Sequence, residues 1–231
     1  MRSLKGCIMR WLIVLALLLA PVQSISAQIE VATDYSDSVV QVINGNSRGS
    51  GTVVKFIKDC EEYPEYYIGL VLTAAHVIDG EENLLDVKFS NGKKTTKNTA
   101  VISLEYKNDP YNDIGLIRVL IPDEILPIPV GTNVPQIGEK VFVAGYGTRK
   151  YRGWDGDFGG RAMLSGDGLI IFSWAIQGDS GGPIIHDGKI IGVICRGTAV
   201  GMYGDTNRYV IAPIHGSSVK RVINFIKLYS A

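Results

Sequence analysis

The sequence predicts an all-β protein made of two strand-rich halves and closed by a single C-terminal helix. The chain has 27 glycines in 231 residues, about 12% against a typical ~7%, which favours turns over long helices. From residue 39 onward, short apolar segments alternate with turn residues, a pattern that two small barrels would satisfy. Only the last residues of the chain have a convincing helical period.

The first half contains five candidate strands, identified by their length and β-branched content: residues 39–43, 53–56, 67–73, 85–89 and 114–120. Asn91-Gly92 follows the fourth of them and indicates a tight hairpin turn, because these residues supply positive φ angles. Proline donates no backbone hydrogen bond, so a proline-rich stretch is neither a helix nor a central strand. The sequence therefore predicts an extended connector at residues 126–136, in a region that contains Pro122, Pro127, Pro129 and Pro135.

The second half contains five further candidate strands: residues 140–145, 169–172, 183–186, 189–195 and 209–214. Asp187-Gly188 indicates a second hairpin. Residues 153–160, in which Trp154 and Phe158 stand among glycines, are expected to form a mobile surface loop. The closing helix has an apolar face, and Ser217 or Ser218 would cap its first turn; the residues of that face are Val219, Val222, Ile223 and Ile226.

The first 27 residues differ from the rest and predict a secretory signal peptide. Three basic residues precede an uninterrupted apolar run from Trp11 to Ala20, and small residues follow it. This run is too short to span a bilayer, which takes about 20 residues, whereas the layout is that of a signal peptide. We place cleavage after Ala27 and expect a secreted or periplasmic protein. An uncleaved membrane anchor is the alternative.

The charge of the chain argues against nucleic acid and anionic membranes as partners. The sequence has 23 basic and 23 acidic residues, and removal of residues 1–27 takes away three basic and no acidic ones, which leaves a net charge of −3. Proteins that bind such partners through charge are basic. We therefore expect neither nucleic acid nor, after signal cleavage, a membrane as a partner.

Three segments carry residue types that suit nucleophilic catalysis. His76 ends an apolar strand, Asp113 stands immediately before another, and Ser180 lies among glycines. A serine hydroxyl becomes an effective nucleophile when an imidazole takes its proton and a carboxylate orients that imidazole. Considered without the other two segments, His76 would be interpreted as a surface residue and Asp113 as a residue that caps a strand. The other histidines, His186 and His215, lie beside a turn and between a strand and the last helix.

Together, Thr73-Ala74-Ala75-His76, Asp113-Ile114-Gly115-Leu116 and Gly178-Asp179-Ser180-Gly181-Gly182-Pro183 resemble the chymotrypsin-like (trypsin-fold) serine peptidases, in that family's order of His, Asp and Ser. The likeness covers most of residues 36–231. It implies two six-stranded antiparallel β-barrels with a C-terminal α-helix and the cleavage of polypeptide substrates. It also implies Ser180 as nucleophile, His76 as general base and Asp113 as the acid that orients it, with the amides of Gly178 and Ser180 as the oxyanion hole.

The resemblance divides the chain into a signal peptide (1–27), an N-terminal barrel with His76 and Asp113 (28–125), the connector (126–136) and a C-terminal barrel with Ser180 (137–231). No metal or organic cofactor is expected, because the histidines are dispersed and no close Cys/His cluster occurs. Cys7 lies in the signal segment, and Cys60 and Cys195 are expected to be too far apart for a disulfide.

Two other functions compete with a peptidase. The segment around Ser180 also satisfies the G-x-S-x-G elbow of α/β-hydrolases, but that fold needs a helix directly after the serine, and Pro183 begins a strand-turn-strand pattern instead. A protease-fold binding or scaffolding protein without catalysis is the second alternative. Such proteins typically lose a member of the triad, whereas His76, Asp113 and Ser180 are all present.

The sequence departs from the family near the nucleophile. No Ile-Val-Gly-Gly segment is present to pair with Asp179, so we expect another partner, Arg161 or an amide network, and activity without zymogen cleavage. Trp174 stands where trypsin-like members carry an acidic specificity residue, which argues against cleavage after Arg or Lys. The resemblance assigns substrate binding to Trp174, Gln177, Cys195, Arg196 and Gly197; Arg196 or Arg208 would favour an acidic side chain if either lined the pocket.

Overall fold

The structure is a computed structural model that describes residues 34–80, 85–95, 98–102, 107–162, 168–197 and 212–229. The expected signal peptide lies outside the described residues and stays a prediction. The domain boundaries drawn at residues 27, 125 and 136 also stay predictions. Within the described ranges, no helix is both long enough and apolar enough to cross a bilayer.

Seven antiparallel strands form a curled sheet in the described first half of the chain, in the order β5-β4-β1-β2-β3-β7-β6. Strand β2 is the longest and bends at two register shifts. The two-residue strand β5 follows the turn at Asn91-Gly92, where Gly92 has a φ of +83°. The strands are β1 (Val39–Asn44), β2 (Ser47–Asp59), β3 (Tyr66–Thr73), β4 (Leu85–Lys88), β5 (Lys94–Thr95), β6 (Asn98–Ile102) and β7 (Gly115–Pro122).

Six strands form a closed barrel in the second half, in the order β10-β13-β12-β11-β8-β9. The hairpin between β11 and β12 turns at Asp187 and Gly188, whose φ angles are +48° and +71°, the pair of positive angles that a type I′ turn requires. The strands are β8 (Lys140–Gly145), β9 (Arg152–Ala162), β10 (Gly168–Ser173), β11 (Pro183–His186), β12 (Lys189–Gly197) and β13 (Ala212–Ser218).

Two α-helices and two 3₁₀ turns complete the described residues. Helix α1 (Ala75–Ile78) follows β3, and helix α2 (Val219–Tyr229) follows β13. Val222 of α2 is fully buried and Ile226 packs on the core, as the amphipathic pattern predicts. The 3₁₀ turns are Pro110–Asn112 and Gly147–Arg149. The predicted fold class, an all-β double barrel of the chymotrypsin type with a C-terminal helix, is confirmed; the first sheet has seven strands rather than six.

Residues 153–160 form regular strand rather than the mobile loop that the sequence predicts, because they lie inside β9. The glycines here fit the side chains of neighbouring strands. A Cβ on Gly153 would collide with the ring of Phe142, and one on Gly159 would lie 2.6 Å from the ring of Phe172. Aromatic rings thus occupy the space that side chains would need, and the strand requires glycine at these places.

One apolar core extends across both halves. Buried residues of the first sheet pack with Ile185, Ile190 and Val193 of the second barrel and with Val222 of α2. A smaller cluster fills the second barrel itself. The segment between β7 and β8 is hydrogen-bonded to both halves, through Ile128 to the carbonyl of Val53 in β2 (2.9 Å), and through Pro129 and Gly131 to Ile190 in β12 (2.9 and 2.8 Å).

Candidate active site

His76 and Asp113 come together because their strands end at the same edge of the first sheet. Strands β3 and β7 are antiparallel neighbours, and Thr73, the last residue of β3, pairs with Gly115, the first residue of β7. Helix α1 continues beyond Thr73 and carries His76, while Asp113 lies just before β7. Antiparallel pairing therefore brings two residues that are 37 apart in the chain to one place.

The Asp113 carboxylate holds His76 at two points. Its Oδ2 lies 2.5 Å from Nδ1 of the His76 ring, and its Oδ1 accepts a hydrogen bond of 2.9 Å from the His76 backbone amide. The Asp113 side chain is 8% exposed, whereas that of His76 is 41% exposed. A carboxylate at Nδ1 favours the tautomer in which Nε2 is unprotonated and can accept a proton.

Cys195 contacts the backbone of Asp113. Its thiol donates to the carbonyl oxygens of Val193 at 3.5 Å and of Asp113 at 3.8 Å, and its side chain is buried. The resemblance assigns Cys195 to the substrate-binding residues; in the structure its side chain is buried against the backbone carbonyl of Asp113. Neither Cys195 nor Cys60 forms a disulfide bond in the described part of the chain.

The loop that carries Ser180 lies between the end of β10 at Ser173 and the start of β11 at Pro183. Gly178 and Gly181 have φ angles of +102° and +85°, a left-handed conformation that favours glycine. A Cβ on Gly181 would meet the carbonyl oxygen of Ser50 and the hydroxyl of Thr73. The loop therefore packs against β2 and against the end of the strand that leads to His76.

Two backbone amides of this loop have no acceptor among the described residues. The amides of Asp179, Gly181 and Gly182 donate to the carbonyl oxygens of Ile176, Ile194 and Asp179, at 3.0, 2.7 and 2.9 Å. Those of Gly178 and Ser180 donate to no acceptor among the described residues. Two such donors flanking a serine suit an oxyanion that develops there.

Strand β2 contacts both the backbone of Ser180 and the neighbour of His76, although the two residues form no direct hydrogen bond among the described residues. The Ser180 carbonyl accepts a hydrogen bond from Ser50 N at 2.7 Å. A Cβ on Gly49 would lie 2.9 Å from that carbonyl oxygen and 2.6 Å from Val77, the neighbour of His76. No hydrogen bond joins the Ser180 hydroxyl to His76 within the described ranges. Such contacts are often long in the absence of substrate and tighten in the complex.

The buried carboxylate of Asp179 is held by backbone amides. Its two oxygens accept from Gly147 N at 2.7 Å and from Ile176 N at 2.8 Å, and the residue is 1% exposed. Burial raises the pKa of Asp179, while the two amides and the charge of Arg152 oppose that shift. Of the two partners that the sequence leaves open, the structure has the amide network, and the nearby cation is Arg152 rather than Arg161.

The remaining predicted substrate-binding residues lie on two segments. Trp174 is half-buried and Gln177 exposed, both between β10 and the Ser180 loop. Arg196 is exposed near the end of β12, which Gly197 closes. Arg208 lies outside the described residues. Sequence reasoning assigned no role to Ser50, which contacts the Ser180 loop; the signal available was a small polar residue between two glycines.

Comparisons with known proteins agree with this fold. The family model described as Trypsin matches residues 68–220. Among solved structures, a serine endoprotease from Yersinia pestis is 20% identical with a TM-score of 0.64, over 86% of this chain and 67% of that one. Neuropsin from mouse brain is 18% identical with a TM-score of 0.62, over 85% and 95%.

A third similar structure is an inactive-form mutant of Rv3671c from M. tuberculosis H37Rv, 20% identical with a TM-score of 0.59, over 84% of this chain and 87% of that chain. A search of the curated proteins gave no match. At these identities, the similar structures establish the fold alone.

Proposed function

The chain belongs to the trypsin family, and we propose that it is an exported serine endopeptidase that acts through His76, Asp113 and Ser180. The observation that carries the proposal is the two-point contact of Asp113 with His76, beside a serine loop in which two amides have no acceptor among the described residues. The Yersinia pestis protein of similar fold is itself a serine endoprotease.

The proposed mechanism assigns to these positions the roles of the family. Ser180 Oγ attacks the carbonyl carbon of the scissile bond while Nε2 of His76 takes the hydroxyl proton. Asp113 orients the imidazole and stabilises it once it is charged. The amides of Gly178 and Ser180 donate to the oxyanion, and each donor of this kind is typically worth about 2.7–4 kcal/mol in the transition state. His76 then protonates the leaving amine, and water releases the acyl group from Ser180.

The side chain accepted at the cleaved position is proposed to be neither Lys nor Arg. Trp174 stands at the specificity position of the family and supplies no negative charge to bind a cation. Profiling of cleavage sites on a peptide library checks this. A majority of cuts after Lys or Arg would contradict the role given to Trp174.

Export is proposed from the first 27 residues. A protein recovered outside the cytoplasm whose N-terminal residue is Gln28 supports both the signal and the cleavage site. Recovery of the intact chain in the membrane fraction supports the uncleaved anchor instead.

A serine-directed fluorophosphonate probe tests the catalytic proposal. The mature protein should be labelled, and Ser180→Ala should abolish labelling and lower kcat by about 10⁶ if the three residues act as a unit. Ser90→Ala is a matched control, because Ser90 is exposed and its hydroxyl donates to Asp37 on the first sheet; it should be labelled normally. One alternative is a binding protein of the same fold without catalysis, and a folded wild-type protein that the probe does not label would support it.

A further inference from the structure

The side chain of Ser50 joins two backbone groups that belong to the second barrel. Ser50 lies in β2 of the first sheet and is fully buried. Its hydroxyl donates to the carbonyl oxygen of Gly178 at 2.7 Å and accepts from the amide of Tyr146 at 2.8 Å. A single hydroxyl thus satisfies one acceptor and one donor across the boundary between the two barrels.

The backbone of Ser50 makes contacts of the same kind. Its amide donates to the carbonyl of Ser180 at 2.7 Å, and its carbonyl accepts from the Thr73 hydroxyl at 2.6 Å. Ser50 therefore contacts both residues whose amides flank the nucleophile, Gly178 and Ser180, and also the strand that leads to His76. None of these contacts uses a side chain of the proposed triad.

The hydroxyl of Ser50 holds the peptide that follows Gly178. Gly178 has no Cβ and a φ of +102°, so the peptide that follows it can rotate readily. In the structure this peptide is fixed at both ends: Ser50 Oγ binds its carbonyl oxygen, and its amide, which is that of Asp179, donates to Ile176 at 3.0 Å. The Gly178 amide belongs to the preceding peptide, but its nitrogen is attached to the Cα that borders this fixed peptide, so loss of the Ser50 bond would let Gly178 shift and displace that donor.

We propose that Ser50 is a positioning residue that presets the oxyanion hole, by holding the Gly178–Asp179 peptide through its hydroxyl. The inference rests on the proposed function, since an oxyanion forms only if the protein is a peptidase. In this arrangement the first barrel fixes the geometry of a donor that the second barrel supplies, without a newly formed N-terminus. Ser50 touches neither the substrate nor the reacting atoms.

The same strand provides a matched control. Thr52 lies two residues beyond Ser50, is 1% exposed, and its hydroxyl has no hydrogen-bond partner in the described part of the chain. Thr52→Val and Ser50→Ala each remove one buried hydroxyl from β2. Only Ser50→Ala leaves two backbone groups without their hydrogen-bond partner, the Gly178 carbonyl and the Tyr146 amide. A difference between the two variants therefore measures the effect of these hydrogen bonds and not that of removing a buried hydroxyl.

The test compares wild type, Ser50→Ala and Thr52→Val in steady-state hydrolysis, with active sites counted by fluorophosphonate labelling. Ser50→Ala is expected to lower kcat about 10- to 100-fold, because a misplaced donor stabilises the oxyanion less. KM should stay within about twofold. Affinity for a peptidyl boronic acid, whose boron bonds to Ser180 Oγ and whose hydroxyl occupies the oxyanion position, should fall with kcat. Thr52→Val should match wild type in all three measurements.

A graded variant covers the case in which Ser50→Ala does not fold. Ser50→Cys keeps a side chain of similar size with a weaker donor, and its kcat should lie between those of wild type and of the alanine variant. If Ser50→Cys or a folded Ser50→Ala keeps full kcat and boronate affinity, the inference is wrong while the peptidase stands. If wild type itself is neither labelled nor active, the proposed function fails instead.

Discussion

The ion pair between Arg221 and Asp109 connects helix α2 to the segment that presents Asp113. Arg221 Nη1 lies 2.6 Å from Asp109 Oδ2. The other carboxylate oxygen of Asp109 accepts from the amide of Tyr111 at 2.9 Å and so caps the 3₁₀ turn that directly precedes Asp113. Replacing Arg221 by alanine removes the pair and leaves the capping contact in place.

The expected cost of Arg221→Ala follows from the burial of the pair. Its side chains are 19% and 30% exposed, between the exposed pairs that contribute at most about 1 kcal/mol and the fully buried ones whose disruption costs about 3–5 kcal/mol. We expect a loss of about 2 kcal/mol in unfolding free energy, or about 4–8 °C in Tm for a domain of this size. The control is Lys140→Ala, since Lys140 and Asp157 are also 2.6 Å apart but 78% and 47% exposed; it should lose less stability than Arg221→Ala, because solvent screens the exposed pair.

The assay is urea unfolding in a Ser180→Ala background, which prevents self-digestion, with pH as a second variable. Burial alone would raise the pKa of Asp109, but the Arg221 guanidinium and the Tyr111 amide outweigh it and hold that pKa below its ordinary value. The stabilisation is therefore complete above the ordinary value of about 3.9 and is lost as the pH falls through the lower folded-state value. If Arg221→Ala costs no more stability than Lys140→Ala, burial adds nothing to the Arg221–Asp109 pair. The difference in unfolding free energy between the parent and Asp109→Asn should shrink at acid pH. A difference that stays constant as the pH falls would contradict the role given to the ionised carboxylate.

Two further predictions follow from the site. Asp113→Asn should keep the fold and lower kcat by about 10⁴, the size of the effect known for the equivalent substitution in this family's triad, because an amide stabilises the wrong tautomer of His76. Kinetics with a circular-dichroism control check this prediction, and activity within tenfold of wild type contradicts it. Gly181→Ala should cost more stability than Gly92→Ala in urea unfolding: φ is +85° and +83° at the two positions, yet a Cβ meets backbone atoms only at Gly181. Equal costs would mean that the close packing of Gly181 contributes nothing.

Much of the fold follows from local chemistry that the sequence displays openly. The turns at Asn91-Gly92 and Asp187-Gly188 are predicted because these residues tolerate positive φ, and both hairpins form there. Strand β8 has the predicted bounds, as does β11. In the site, the pairing of His76 with Asp113 is predicted by the family resemblance, whereas the antiparallel pairing of β3 with β7 that brings them together is seen only in the structure.

The rest depends on contacts that leave no pattern in the sequence. The glycines of β9 hide its alternation, and the rings that explain them belong to neighbouring strands. Helix α1 spans only Ala75–Ile78, too short for a helical period to be recognised. The partners of the Asp179 carboxylate are backbone amides, which every residue except proline possesses, so no residue type could identify Gly147 as a donor. The hydroxyl of Ser50 is found only once the second barrel is placed against it.

The connector between β7 and β8 has a consequence for how the molecule moves and unfolds. Its backbone is hydrogen-bonded to Val53 in one half and to Ile190 in the other. It therefore holds the two halves together and is not a flexible hinge. Separating the halves would break these bonds and open the core that they share, so the two barrels should melt in a single cooperative transition. The same bonds oppose movement of one half against the other, so we expect no closure of the two barrels when a ligand binds.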